Sequence, residues 1–391
     1  MNLLVKKFNI VILLMGINFF YLLPISIWDS FKFIAIFVIF FFIINLNTVL
    51  KNNGEFSLHI VFFMFLCIVE IIISKLRYDQ SNISLFSVSI YYFVILIYFI
   101  ISYYNVKQKE IIKIFINISL VLSIILIIQF VLYEKSGIAF LKINVGSVKR
   151  FGEVRISEGA HAVALGIILS FSEIIKSRKI LLKSNIKNIL NLILGFIEII
   201  FIAKTRSILV ILIISIIFML LYYSKGISER IKIIFMIIIS SIILMNSNIV
   251  KKYDNLDSEA EWSTIARKGA IEYYLDQVVE KPLFGVGIIN PSESIEMHYY
   301  ARGPLGIYYR DDVGIIGFLN AFGLVGLIWY ISLVYKILKI ISVNIKKGCI
   351  RKNIQIIGLG MFLSACSFTI IFTDPQRIYL LPFILYMIEE K

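Results

Sequence analysis

Apolar residues run through this chain in long windows that are separated by short polar connections. A helix needs about 20 residues to cross the hydrocarbon core of a membrane, and most of the windows are close to that length. They predict an all-α polytopic membrane protein, with residues 1–391 as a single transmembrane domain. About twelve transmembrane helices are expected, at residues 8–25, 31–50, 57–74, 84–104, 111–132, 159–175, 188–203, 207–223, 231–250, 313–335, 354–373 and 378–388.

The composition agrees with this pattern. Hydrophobic residues make up 59% of the chain, charged residues make up 16%, and the mean hydropathy is +0.90. Soluble domains carry about 25% charged residues, so the composition excludes a soluble enzyme or binding module. The 32 Phe and 21 Tyr residues fit aromatic belts at the membrane interfaces. The three histidines do not have the spacing of a metal site.

Short connections rich in lysine and arginine all lie on one side of the predicted helices. They occur at residues 6–7, 51, 107–113, 176–187, 225–232 and 336–352. The positive-inside rule places that side in the cytoplasm, so both termini are expected there, in a multi-pass protein of the cytoplasmic (inner) membrane. The polar stretch 251–312, with 11 acidic and 7 basic residues, becomes an extracytoplasmic loop. We expect this loop to cap an active site that faces the periplasm or the exterior.

An apolar run of 36 residues, from Asn188 to Tyr223, is interrupted by Lys204 and Arg206 in the sequence "AKTRS". The run is too long for one helix and predicts two short helices that meet at a turn on the outer side. The first N–H groups of a helix favour an anion, and a guanidinium can bind two phosphate oxygens at once. The simpler alternative is an arginine that reaches lipid headgroups.

The loop contains the stretch "STIARKGAIEYYLDQVVEKP", which predicts an amphipathic helix that begins near Ser263 and ends at Pro282. At about 100° per residue, Arg267 falls at the centre of the apolar face, in line with Ile271 and Tyr274. We therefore expect Arg267 to point into the protein body, where its charge needs a partner. That partner is either an internal acidic residue or a bound anionic ligand.

Weaker candidates follow in three stretches. These are "PLFGVG", then the polar stretch that contains His298, and then "RDDVGIIGFLNAFGLVGL". Acidic residues at a helix start are ordinary capping groups, and a lone histidine is often a surface residue. Arg155 lies in "VRISEGAHAVALG", just before a predicted span.

The order of these elements resembles the O-antigen polymerase and O-antigen ligase superfamily of bacterial surface polysaccharide assembly. The resemblance covers roughly residues 150–335 and rests on five features, "RISEGAHA", "KTRS", "ARKGAIEYYL", "PLFGVG" and "FGLVGL". One feature departs from the family, because the position of its histidine, eleven residues before Gly323, is Asp312 in this chain.

The resemblance implies a GT-C type, inverting, metal-independent glycosyltransferase without a cofactor. Such an enzyme polymerises undecaprenyl-pyrophosphate-linked repeat units into O-antigen of lipopolysaccharide, or into capsular polysaccharide, on the outer face of the membrane. Its partners are the lipid-linked glycan donor and acceptor, membrane lipids and a chain-length regulator, with no nucleic acid.

The resemblance also assigns roles to the candidate residues. Arginines can stabilise the charge that develops on a lipid pyrophosphate leaving group without a metal. The acceptor hydroxyl needs a base, for which the ordinary pKa of imidazole, about 6.5, is suitable. The pKa of imidazole therefore favours His298 as the base, whereas the position of the family's histidine favours Asp312. The resemblance further assigns binding of the donor pyrophosphate to Arg206, Arg267, Lys204 and Arg155. It assigns binding of the acceptor glycan to Arg302, Arg310 and Asp311.

Three alternatives stay open. A ligase that transfers finished polysaccharide to another acceptor would use the same residues. A flippase or transporter would carry charged residues near the membrane midplane, for which Glu70 and Glu198 are the hints. A peptidoglycan-type glycan polymerase of the cell-shape family would carry a catalytic acid in the outer loop and no arginine pair.

Overall fold

The computed structural model describes residues 10–46, 54–143, 149–150, 153–177, 185–224, 226, 258–346 and 350–389. The regular elements are helices, apart from a pair of two-residue antiparallel strands, and loops connect them; Asn18–Tyr21 forms a short turn with positive φ. The elements are α1 (Ile27–Ile44), α2 (Ser57–Tyr78), α3 (Asn82–Tyr103), α4 (Gln108–Ser136), β1 (Lys149–Arg150), β2 (Glu153–Val154), α5 (Ala160–Ser177), α6 (Ile186–Ile197), α7 (Arg206–Tyr223), α8 (Ser258–Glu280), α9 (Ile295–Arg302), α10 (Ile315–Lys346), α11 (Ile350–Cys366) and α12 (Leu381–Ile388).

Six of the described helices are long and apolar enough to cross a membrane, namely α2, α3, α4, α5, α7 and α10. They confirm a polytopic membrane protein of helical fold. The expected total of twelve spans stays a prediction, and the expected span 231–250 lies outside the described residues. The expected span 378–388 forms the eight-residue helix α12, which is shorter than the roughly 20 residues that a crossing needs.

Two helical segments depart from α-helical geometry. The middle of α3, Ile90–Leu96, is a 3-10 helix. The end of α6 continues as a π-helical turn over Glu198–Ile202. Such segments inside helices often mark functional sites.

The chain divides into two compact units. The first unit contains residues 1–114, 266–342 and 363–391, and the second contains residues 115–265 and 343–362. The single transmembrane domain expected over the whole chain stays a prediction.

In the first unit, α2 packs on α10 through aromatic side chains. The ring of Phe63 stacks on Trp329 with 4.4 Å between centroids, and it also contacts Phe318 and Phe322. The indole N–H of Trp329 donates to the carbonyl of His59 at 2.8 Å. These contacts fix α2 against α10.

Helix α10 is broken at Gly323, whose φ of 60° and ψ of −162° are not helical. The break frees backbone groups that the "PLFGVG" segment then satisfies, since buried backbone groups need partners at membrane depth. Four hydrogen bonds join the two: Val286 N to Asn320 O at 2.7 Å, Gly287 N to Ala321 O at 3.0 Å, Leu324 N to Pro282 O at 2.8 Å, and Val325 N to Leu283 O at 3.1 Å. We call residues 282–288 the docked segment.

In the second unit, α6 lies close against α5. A side chain at Gly195 would place its Cβ 2.8 Å from Ile167, so the glycine permits this close approach. The amide of Asn191 donates to the hydroxyl of Ser170 at 2.8 Å and accepts from the hydroxyl of Ser119 at 3.1 Å. This packing fixes the end of α6, from which the charged "AKTRS" sequence begins.

Candidate functional site

The "AKTRS" sequence forms the predicted turn between two helices. The π-helical turn ends at Ile202, Lys204 has a positive φ of 48°, and Thr205 is the extended residue that precedes α7. Arg206 is the first residue of α7. The prediction that two helices meet at this point is confirmed.

Arg155 and Lys204 both bind the turn to the segment around Val154. The ammonium of Lys204 donates to the carbonyl of Val154 at 3.0 Å, and Nε of Arg155 donates to the carbonyl of Ala203 at 2.9 Å. A backbone hydrogen bond from Ile156 N to Ile202 O, at 3.1 Å, lies beside them. The structure therefore brings Arg155 to the same turn as Lys204, although the two are far apart in the sequence.

Lys204 is buried, with 5% of its surface exposed, and its ammonium lies 5.6 Å from the centre of the Phe130 ring. Arg206 is exposed. The hydroxyl of Thr205 is buried and has no hydrogen-bond partner among the described residues. With the first N–H groups of α7, these cations can bind an anionic group. We call Arg155, Lys204 and Arg206 the cationic junction.

The expected burial of Arg267 is wrong, because its side chain is exposed. Among the residues of α8 whose burial is described, 264–280, the first buried one is Ala270, and Tyr274 follows one turn later. The hydroxyl of Tyr274 donates to the carbonyl of Ala301 at 3.1 Å, which anchors this part of the helix. The helical stripe was predicted correctly, but the packing partners of α8 do not extend as far as Arg267. Its role in pyrophosphate binding stays a prediction.

The two candidate bases, His298 and Asp312, are both exposed. His298 lies on α9 with its ring edge-on to Tyr299, and Asp312 ends a 3-10 turn just before α10. Arg302 is stacked over the ring of Tyr309 at 3.9 Å. The catalytic roles of His298 and Asp312 and the glycan-binding role of Arg302 stay predictions.

Arg310 links the "RDD" sequence to the docked segment. Its Nη1 donates to the carbonyl of Gly287 at 3.0 Å, while Nε and Nη2 are buried without a hydrogen-bond partner among the described residues. From the other side, α2 holds the same segment, because Arg77 Nη1 donates to Gly285 O at 2.5 Å and Tyr78 donates to Val286 O at 3.0 Å.

Glu70 is the buried acid of this region. None of its surface is exposed, and neither carboxylate oxygen accepts a hydrogen bond from a described residue. Arg77 and Arg310 are close enough to interact with it electrostatically. A Cβ on Gly287 would lie 3.5 Å from Glu70 Oε2, so the docked segment lies directly against the acid.

Asp374 and Arg377 are functional candidates that the sequence analysis did not identify. Their side chains lie 3.6 Å apart and are both buried. The backbone N–H of Gln376 donates to Asp374 Oδ1 at 2.7 Å, and Arg377 Nη1 donates to the carbonyl of Asp311 at 3.5 Å. Burial raises the pKa of Asp374 to about 7, although Arg377 acts in the opposite direction. The "TDPQR" sequence, an Asp and an Arg three residues apart in an apolar stretch, was the available signal.

Tyr92, in the 3-10 part of α3, is the common neighbour of these groups. It lies within electrostatic reach of Asp374, Arg310 and Asp311. Three segments distant in the sequence thus meet around one set of charged side chains. We call Tyr92, Arg310, Asp311, Asp374 and Arg377 the aspartate cluster.

Neither a protein-family model nor a curated protein matches this chain.

Proposed function

We propose that this chain polymerises undecaprenyl-pyrophosphate-linked oligosaccharide repeat units into O-antigen or capsular polysaccharide on the outer face of the cytoplasmic membrane. In this inverting glycosyl transfer, a hydroxyl of the acceptor unit attacks the anomeric carbon of the donor glycan. The bond between that carbon and the pyrophosphate breaks, and undecaprenyl pyrophosphate leaves.

The observation that carries this proposal is the burial of Lys204 at the start of α7. An ammonium that merely reached lipid headgroups would be exposed, whereas Lys204 is 5% exposed and held by Val154 O. A buried cation beside helix N–H groups and a second cation, Arg206, is suited to the negative charge that develops on a leaving pyrophosphate.

The resemblance to the O-antigen polymerase and ligase superfamily supports the same conclusion. Two of its features, "RISEGAHA", which begins with Arg155, and "KTRS", lie together in the second unit. Two others, "PLFGVG" and "FGLVGL", are joined by the backbone hydrogen bonds of the docked segment.

Reconstitution of the full-length protein in lipid nanodiscs tests the proposal. The probe is the lipid-linked repeat unit extracted from the source strain after deletion of this gene. We expect a ladder of longer glycans on undecaprenyl pyrophosphate, together with released undecaprenyl pyrophosphate. A protein that forms no glycosidic bond between the units would contradict the proposal.

The same assay separates this function from its alternatives. A ligase would leave the lengths of lipid-linked glycans unchanged and would transfer them to a different acceptor. A transporter is the second candidate, because the buried Glu70 in α2 is of the kind found along intramembrane pathways. A transporter would move lipid-linked units between leaflets without making a new bond.

Substitution within the cationic junction connects the activity to the structure. Lys204→Gln keeps the length of the side chain but removes the buried charge, so polymerisation should fall by at least 10-fold, the effect of about 1.4 kcal/mol in transition-state stabilisation. Lys135→Gln is the matched control, because Lys135 is an exposed lysine of the same unit at the end of α4. Its activity should equal that of the wild type.

A further inference from the structure

We propose that the end of α8 and the docked segment form a re-entrant element inside the membrane. On one edge of this element, Val279 and Leu283 contact the acyl chains of the lipid. On the other edge, Asp276 and Glu280 line an aqueous cleft. This placement differs from the expectation that the whole of 251–312 lies outside the membrane, and it does not depend on the proposed function.

Helix α8 runs beside the first half of α10 in the same direction. Three pairs of contacting residues join them, namely Ala270 with Val313 in one buried cluster, Gln277 Oε1 with Asn320 Nδ2 at 2.9 Å, and Pro282 O with Leu324 N at 2.8 Å. The members of each pair are 42 or 43 positions apart in the sequence. The two chains therefore advance together from Val313 to Leu324, and all of these residues belong to the first unit.

The depth of the docked segment follows from its position on α10, which is long and apolar enough to cross a membrane. The 23 residues 313–335 contain no charged side chain, and Leu324 is the central one. At about 1.5 Å per residue, Leu324 lies about 16 Å from either end of this stretch, and the hydrocarbon core is about 30 Å thick. Pro282 and Leu283, which bond to α10 at this level, therefore lie near the middle of the core.

The backbone of the docked segment meets the condition for non-helical chain at this depth, which is that protein groups satisfy its polar atoms. The carbonyls of Pro282 and Leu283 accept hydrogen bonds from the backbone of α10. Those of residues 285–288 accept from side chains, namely Arg77, Tyr78, Arg310 and Gln80. A loop in water would not need partners for these carbonyls, because the solvent would supply them.

The basic residue between α8 and the docked segment is also held by protein groups. The ammonium of Lys281 donates to the hydroxyls of Tyr78 at 2.9 Å and Tyr300 at 2.7 Å. It lies 5.0 Å and 5.1 Å from the centres of the same two rings. A charge inside a membrane needs such partners, so the contacts of Lys281 agree with the placement of this element.

Exposed apolar side chains connect the element to the lipid-facing surface of α10. The exposed apolar residues of α10 recur every three or four positions, at Leu324, Ile328, Ile331, Tyr335 and Leu338, which is the pattern of one helix face. Leu283 is 62% exposed and lies where this stripe begins, because its carbonyl accepts from the N–H of Val325. Val279 is 80% exposed one turn before it. Acyl chains are the partner that fits this continuous apolar surface.

The aqueous edge is set by two acidic residues on the exposed face of α8. Asp276 and Glu280 are exposed and lie about 60° and 100° around the helix axis from Val279, whereas the exposed Leu275 lies on its other side. Carboxylates are costly in hydrocarbon. The last turns of α8 therefore separate lipid on the side of Val279 from water on the side of Glu280.

Fluorescence quenching tests the placement with the full-length protein in phosphatidylcholine nanodiscs. Bimane is attached to Leu283→Cys or to the matched variant Glu280→Cys, three positions away and also exposed. Cys67 and Cys366 are buried, and Cys349→Ser removes the third native cysteine. We expect the label at position 283 to lose about half of its emission or more to a nitroxide on the acyl chains, and little to iodide. The label at position 280 should respond in the opposite way.

Ile328→Cys and Lys109→Cys calibrate the two quenchers. Ile328 is on the exposed stripe of α10, and Lys109 is exposed in a basic connection. Val279→Cys gives a second position on the lipid edge, and melting temperatures should match the wild type because the replaced side chains are exposed. Equal responses of the labels at positions 283 and 280 to both quenchers overturn the re-entrant placement. Elongation of lipid-linked units is measured separately, so either proposal can fail alone.

Discussion

Gly285 and Gly323 face each other so closely that neither position has room for a side chain. A Cβ on Gly285 would lie 2.7 Å from the backbone nitrogen of Gly323, and a Cβ on Gly323 would lie 2.4 Å from the backbone nitrogen of Gly285. Both glycines have a positive φ. The docked segment can therefore enter the break of α10 because both partners lack a side chain.

Gly323→Ala and Gly285→Ala should each lower the melting temperature of the detergent-solubilised protein. The positive φ alone costs about 1–3 kcal/mol for another residue, and the new Cβ would displace backbone groups that are hydrogen-bonded to each other. Gly137→Ala is the control, since Gly137 has a φ of 67° but no described atom within 4 Å of its Cβ position. Equal melting temperatures for all three variants would show that the close approach has no role in stability.

Arg206→Lys should abolish most polymerisation, because lysine keeps the charge but lacks the fork that binds two phosphate oxygens. The same result is predicted for Arg267→Lys from the sequence. Product length on gels, at equal protein levels, provides the measurement. Arg351→Lys, on the side predicted to be cytoplasmic, should behave as the wild type. Full-length polymer from the Arg206 variant would remove Arg206 from the pyrophosphate site.

The orientation of the chain is testable with reporter fusions. Fusions after Lys51 and Lys183 should report the cytoplasm, because these residues lie in short basic connections. A fusion after Ser258 should report the exterior. If the Ser258 fusion reports the cytoplasm, the active site cannot face the periplasm or exterior.

Glu70 and Glu198 should respond in opposite ways to replacement by methionine. Both are fully buried and accept no hydrogen bond from described residues, but Arg77 and Arg310 lie near Glu70. Methionine at position 70 removes the electrostatic interaction with Arg77 and Arg310, so Glu70→Met should lower the melting temperature. Among the described residues no charged group acts on Glu198. Glu198→Met should therefore raise the melting temperature, because it adds about 1–3 kcal/mol to the free energy of unfolding. Two variants with the same shift would contradict this account.

The sequence predicted the cationic junction better than the rest of the candidate site. The length of the apolar run and the positions of Lys204 and Arg206 were enough to place a turn between two helices, because helix length is a local property. The contact of Arg155 with Ala203 was not predicted, because the resemblance assigned Arg155 only to the donor pyrophosphate. The exposure of Arg267 could not be predicted, since periodicity identifies the face of a helix and not where its packing partners end.

The sequence named Arg310 and Asp311 as candidates, but the assembly of the aspartate cluster could not be predicted from it. The segments of Tyr92, Arg310 and Asp374 are far apart in the chain, and no local pattern connects them. The "PLFGVG" sequence was named as a candidate, but its insertion into α10 depends on hydrogen bonds to Asn320, Ala321, Leu324 and Val325. Long-range placement of this kind requires the tertiary structure.

The 3-10 stretch of α3 also determines how the two halves of this helix are aimed. A 3-10 helix advances by about 2.0 Å and turns by about 120° per residue, compared with about 1.5 Å and 100° in an α-helix. Over the seven residues Ile90–Leu96, the difference adds about 3.5 Å of length and about 140° of rotation. The side chains after Leu96 are therefore rotated about the helix axis by about 140° from the directions that an unbroken α-helix would give them. The first half has exposed positions such as Ile83 and Phe86, whereas every position from Ile97 to Ser102, after the 3-10 stretch, is buried.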